Sequence, residues 1–133
     1  MRRRAREAAL RTLYRCEYQP APTAELLTDE EDMSPAEARL AADLLTGVLD
    51  RREELDKVID CRAVGWGVDR LSLIDLNLLR LALYELLHTD TPAEVVMDEA
   101  VELAKSYGTE KAPAFINGIL DRVRREASGD PTH

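Results

Sequence analysis

Histidine and cysteine occur only twice each in this 133-residue chain, as His88, His133, Cys16 and Cys61. Neither histidine has a serine or cysteine at a motif spacing, so no nucleophile-base pair is supported. Two distant cysteines make neither a disulfide framework nor a metal-type spacing. Six glycines and six prolines are too few for a turn-dense β architecture. Aromatic residues amount to 5%, with one tryptophan, Trp66, and one phenylalanine, Phe115, so stacking platforms are scarce. No apolar run approaches the roughly 20 residues of a membrane helix, and no apolar signal core follows the first arginines. These absences point to a cytoplasmic protein without membrane association, of a length that suits one domain.

Helix-forming residues dominate what is present, and the apolar positions recur at helical spacing. Residues 2–18 form an amphipathic stripe through Ala5, Ala9, Leu13 and Cys16, with Leu10 alongside. The acidic stretch 21–33 reads as a short helix or loop. Ser34-Pro35-Ala36-Glu37 is a capping box with proline at the first helical position, which predicts a helix over 35–50. A further helix over 53–62 presents Leu55, Val58 and Ile59. After Gly65-Trp66-Gly67, Ser72-Leu73-Ile74-Asp75 is a second capping signature. It precedes a segment apolar nearly all round, which must be the central buried helix. Thr91-Pro92-Ala93-Glu94 reads as a third capping box for a helix that stops at Gly108. Phe115, Ile116, Ile119, Leu120 and Val123 mark the last helix, and the tail 128–133 is expected to fray. The expected fold is all-α, a single domain over 1–133 with about seven helices.

The net charge of −8 argues at first against a nucleic-acid partner, yet its distribution is uneven. Residues 1–19 hold six arginines against two glutamates, a net of +4, and the remainder carries −12. At physiological salt the screening length is about 8 Å, so acids a domain-width away hardly weaken a local arginine cluster. The run Arg2, Arg3, Arg4 and Arg6 suits phosphate, because guanidinium forks bind it bidentately. Cations at a helix N-terminus also oppose the macrodipole by about 0.3–1 kcal/mol each, which favours an external anion there.

No other cluster carries chemistry. His88 fits a helix C-terminus, where a cation is favourable. Asp29, Glu30, Glu31 and Asp32 lack the alternating ligand spacing and glycine of a calcium loop and read as a solvated acidic stretch. Gly65-Trp66-Gly67 lacks the Lys-Ser/Thr ending of a phosphate loop, and Trp66 reads as a packing anchor. Cys16 lies on the apolar stripe as an inert thiol. Arg80 and Glu85, charged residues in the central apolar helix, read as packing salt-bridge formers. Asn117-Gly118 reads as a close helix-packing feature. Neither enzymatic activity, cofactor nor metal is expected.

Four blocks in order resemble the NusB family of transcription antitermination factors. They are Arg2-Arg3-Arg4-Ala5-Arg6-Glu7 with Ala8, Leu10, Leu13 and Tyr14; Leu79-Arg80-Leu81-Ala82-Leu83-Tyr84-Glu85-Leu86; Asp98-Glu99-Ala100-Val101-Glu102-Leu103-Ala104-Lys105; and Phe115-Ile116-Asn117-Gly118-Ile119-Leu120-Asp121. The resemblance covers nearly the whole chain and implies two small helical bundles packed together. It implies binding to the boxA element of nascent ribosomal RNA together with NusE, a small-subunit ribosomal protein. It further implies entry into the elongating RNA polymerase complex with other Nus factors, to suppress termination. On this resemblance Arg2, Arg3, Arg4 and Arg6 belong to the arginine-rich RNA-binding start, with Lys111 and Phe115 on the same RNA face. Tyr14 and Asp75 are expected to face NusE. The family often has Asn where Asp98 stands and Ser where Ala112 stands, and Lys111 replaces an acidic or polar residue of some members. Family members occur as monomers and as homodimers.

Four arginines on four phosphates of single-stranded RNA imply a logarithmic salt slope of about −2.8, or about 50-fold weaker binding between about 50 and 200 mM salt. Such an arm needs splayed bases, with Phe115 and Tyr14 as aromatic candidates, and a second protein beside the RNA. The acidic body suits a basic protein partner. Two other readings compete: a helical protein-interaction module without RNA binding, and the helical domain that precedes certain ribosomal RNA cytosine methyltransferases. The chain carries no nucleotide-binding glycine loop, so the methyltransferase reading is not expected if His133 ends the protein.

Overall fold

The computed structural model describes residues 2–18, 33–62 and 68–127. Among these are six α-helices and one 3₁₀ turn, with no strand: α1 (Arg2–Cys16), α2 (Pro35–Asp50), α3 (Arg52–Arg62), the turn Val68–Arg70, α4 (Leu73–His88), α5 (Ala93–Tyr107) and α6 (Ala112–Ala127). None of these helices is long and apolar enough to cross a membrane. The stretch 21–32, Gly65-Trp66-Gly67 and the tail 128–133 lie outside the described residues.

Local sequence accounts for most boundaries. Ser34 caps α2 reciprocally: its Oγ accepts from the Glu37 N–H at 3.1 Å, and the Glu37 carboxylate accepts from the Ser34 N–H at 2.9 Å. A single residue, Arg51, separates α2 from α3, and its N–H closes α2 onto the carbonyls of Gly47 and Val48. Ser72 caps α4 by accepting from the Asp75 N–H at 3.2 Å. The third expected capping box does not form. Pro92 holds the N-cap position of α5 and makes no side-chain cap. The Thr91 N–H turns back to Thr89 Oγ1, which in turn donates to the Glu85 carbonyl at 2.7 Å and so finishes α4.

Helix α4 is the axis of the fold, in contact with all five other helices. Helices α1, α2 and α3 form one group, and α5 pairs with α6 in another. Leu78, Leu79, Leu81 and Leu83 are almost wholly enclosed, and full burial of one such side chain contributes about 1.5–3 kcal/mol. Ala5, Ala8 and Ala9, all with zero exposure, let α1 come close to its neighbours. Burial all round α4 extends to its polar residues. Asp75, Asn77, Arg80 and Glu85 are each at most 5% exposed, so each must be paired inside the protein.

Glycine at the C-cap of α5, position 108, has a steric cause. Its φ of −85° is open to any residue, but a Cβ there would lie 2.8 Å from Ala112 Cβ and 2.9 Å from both Ala104 O and Asp75 Oδ1. Replacing Gly108 with Ala is therefore expected to destabilise the protein by about 1–3 kcal/mol through overpacking. Urea unfolding followed by circular dichroism measures this, and an unchanged midpoint would contradict the steric account.

Candidate nucleic-acid interface

The first turn of α1 carries no acid to balance its helix dipole. A carboxylate from another helix instead pairs with the side chain of one of the arginines there. Arg3 Nε and Nη2 donate to Glu99 Oε1 and Oε2 of α5 at 3.1 and 2.9 Å. This side-on pairing leaves Nη1 of the fork without a hydrogen bond among the described residues, and the Arg3 side chain is 53% exposed. Hydrogen bonding from Arg3, with the charges of Arg3 and Arg6 behind it, holds the Glu99 carboxyl below the usual glutamate range. A carboxyl shifted downward keeps its ion pair at neutral pH and loses it only as the pH falls through the lowered value. Arg4 is exposed beside Arg3, and the backbone of Arg2 begins the helix.

Arg6 departs from the expectation that it joins this run. It is 3% exposed, and its Nε and Nη2 donate to Glu85 Oε1 and Oε2 of α4 at 2.7 and 2.8 Å. Its Nη1 lies 3.8 Å from Glu99 as well. The reason is periodicity: position 6 is enclosed with Ala5, Ala9 and Leu10, so the fourth arginine of the motif points into the core. A buried, doubly bonded guanidinium is not offered to phosphate. The signal for this was Glu85 itself, an acid in an otherwise apolar helix that needed a cation. Arg80 behaves likewise, donating to Asp56 Oδ1 and Oδ2 at 2.7 and 2.8 Å and to Glu17 at 3.2 Å. Arg80 and Glu85 are the packing salt-bridge formers the sequence suggested.

Lys111 is exposed immediately before α6, and its carbonyl accepts from the Phe115 N–H at 3.2 Å. Phe115 is half-buried, with part of its ring against the core. The Arg3–Glu99 pair draws the start of α1 onto α5, and Arg3 shares one recess with Pro113, Ala114 and Asn117 of α6. The structure thus gathers Arg3 and the first turns of α6 on one face.

Tyr14 lies elsewhere on α1, 37% exposed, with its ring edge-on to the exposed Tyr18 at a centroid separation of 5.3 Å. Asp75 does not join it. Its carboxylate is buried and accepts from the Thr109 N–H at 3.1 Å and from Thr109 Oγ1 at 2.6 Å, tying the start of α4 to the α5–α6 connection. Asn117 and Gly118 are exposed, and a Cβ at Gly118 would meet nothing within 4 Å, so this pair is not a close-packing feature. His88 ends α4 as expected, with Nε2 2.6 Å from Glu54. Cys16 is half-buried, and burial pushes its thiol upward, which keeps it unreactive. Among the described residues no group of three or more His, Cys, Asp or Glu side chains forms a metal site.

The NusB family model matches residues 3–125. The transcription antitermination protein NusB of Geobacter sulfurreducens is 46% identical over 127 residues, covering 92% of each chain. A solved structure of T. maritima NusB superposes with a TM-score of 0.86 at 38% identity, covering 95% of this chain and 92% of the other. A chain from a crystal structure of the antitermination factors NusB and NusE in complex with double-stranded RNA gives a TM-score of 0.82 at 28% identity, covering 94% and 96%.

The two classes of arginine separate by experiment. Arg6→Ala leaves Glu85 buried without its partner and is expected to cost about 3–5 kcal/mol of folding stability. Arg3→Ala, at an exposed pair, is expected to leave the melting temperature close to the parent value. Thermal melts of both variants check this, and equal losses would refute the division.

Proposed function

The chain belongs to the NusB family, and from that premise we propose that it is a transcription antitermination factor that binds boxA RNA together with NusE. The observation that carries this reading is the exposed Arg3–Arg4 start of α1, with Arg3 held by Glu99 on the face formed with α6. In this reading Arg2, Arg3, Arg4 and Lys111 take phosphates, and the exposed part of Phe115 offers a surface to an unstacked base. Arg6 supports the face from within and does not touch the RNA.

Tyr14 and Tyr18 present the exposed aromatic pair through which NusE would dock. The −12 carried outside residues 1–19 attracts a basic ribosomal protein and speeds its approach. Four phosphate contacts give only a modest, salt-sensitive affinity. Simultaneous binding of a protein beside the RNA supplies the remaining surface, and the pair then joins the elongating polymerase with other Nus factors. A homodimer that covers the same face would compete with this assembly. The similarity to a NusB from a NusB–NusE complex with double-stranded RNA supports the reading. A protein-interaction module without RNA binding is the alternative, and the same titration decides it.

Fluorescence anisotropy with boxA and scrambled RNA, each with and without NusE, is the test. Arg3→Ala combined with Arg4→Ala is expected to reduce boxA affinity and to flatten the logarithmic salt slope by about 1.4. Undiminished affinity, or equal affinity for scrambled RNA in the presence of NusE, would sink the proposal.

A further inference from the structure

Beside Arg3, between α5 and α6, lies a recess of about 550 Å³. Its volume falls within the range of small-ligand sites, about 300–1,000 Å³, and is ample for one nucleobase. Three carboxylates border it, and two are already engaged: Glu99 accepts from Arg3, and Glu102 from Lys105 at 3.3 Å. The third, Asp98, is exposed and has no hydrogen bond or ion pair among the described residues. The amide of Asn117, across the recess on α6, is in the same state. Val101, Pro113 and Ala114 supply apolar wall.

Three acids against two cations make this a poor place for a phosphate. The free groups are instead one two-oxygen acceptor and one amide able to donate or accept. That set suits a neutral base edge with two adjacent donors. Guanine alone among the RNA bases has such an edge, N1–H and N2–H, next to an O6 acceptor. In unpaired RNA this edge is open to side chains. We infer that the recess is a pocket for one unpaired guanine, whose Watson–Crick edge donates to the Asp98 carboxylate while O6 accepts from Asn117. The flanking phosphate lies on the outer edge of the Arg3 fork, which Glu99 leaves open. This deepens the RNA-binding reading above and rests on it.

Charge and base reading predict opposite signs at Asp98. Removing an acid beside RNA strengthens binding if charge alone acts, whereas removing a base reader weakens it. The test titrates the full chain with a boxA RNA in which each guanine in turn is replaced by inosine, which lacks the N2 amine. At one position inosine is expected to weaken binding to the parent protein about five-fold, the effect of one hydrogen bond. Asp98→Ala is expected to bind the unmodified RNA at least as weakly and to ignore inosine at that position, and Asn117→Ala to bind it less tightly than the parent. Both side chains are exposed, so unchanged circular dichroism melts confirm that the variants fold.

If inosine has no effect at every position, or Asp98→Ala binds as tightly as the parent or tighter, the pocket assignment is overturned. That result together with lost binding in the Arg3→Ala, Arg4→Ala variant overturns the pocket and leaves the RNA reading standing. Undiminished binding in that double variant overturns both. A loss confined to NusE binding assigns the recess to a basic side chain of the protein partner and overturns the guanine.

Discussion

Ionised groups inside α4 must be paired, and that requirement orders the rest of the molecule. An isolated charge in the interior costs several kcal/mol, so Arg80 and Glu85 tolerate only arrangements that bring Asp56, Glu17 and Arg6 to them. Leucine packing by itself is permissive about register, because one leucine face resembles another. The two ion pairs are not, since a one-turn slip of α1 or α3 along α4 would strand a guanidinium or a carboxylate. Asp75 adds a third tie by holding Thr109, which places the α5–α6 connection against the start of α4.

From the buried end of this network a chain of charges runs outward, Glu85 to Arg6 to Glu99 to Arg3. It converts a core constraint into a surface arrangement. Arg6 holds the first helix at its register, and Glu99, near both arginines, orients the fork of Arg3. The arginine-rich start therefore has two roles that composition cannot separate: one residue stabilises the core, and its neighbours three and two positions earlier are solvent-facing. The positive surface is smaller than the motif implies but better ordered than a flexible arm.

Two surfaces of opposite character follow. The start of α1 with the first turns of α6 is cationic at its rim and holds a recess with unengaged polar groups. The remaining surface is dominated by acids, with the Tyr14–Tyr18 pair as an exposed aromatic feature. A net charge of −8 averages over these and describes neither. For a factor proposed to hold RNA and a basic protein at once, the separation limits competition between partners for one patch.

Local rules written in the sequence determined much of this protein. Ser34 and Ser72 mark helix starts because a side-chain oxygen before a helical run satisfies orphan N–H groups. The apolar circumference of 76–83 could only be a buried axis, and the four blocks were legible as NusB-like. What misled were residues whose fate depends on distant neighbours. Arg6 reads like Arg3 in the motif, Asp75 like an acid facing NusE, Thr91 like a cap and Asn117-Gly118 like a packing pair. Helix geometry sets which way each points only relative to its own axis. Which partner waits there, Glu85 for Arg6, Thr109 for Asp75, open solvent for Gly118, is decided when the helices pack, because burial and pairing are properties of the assembled bundle.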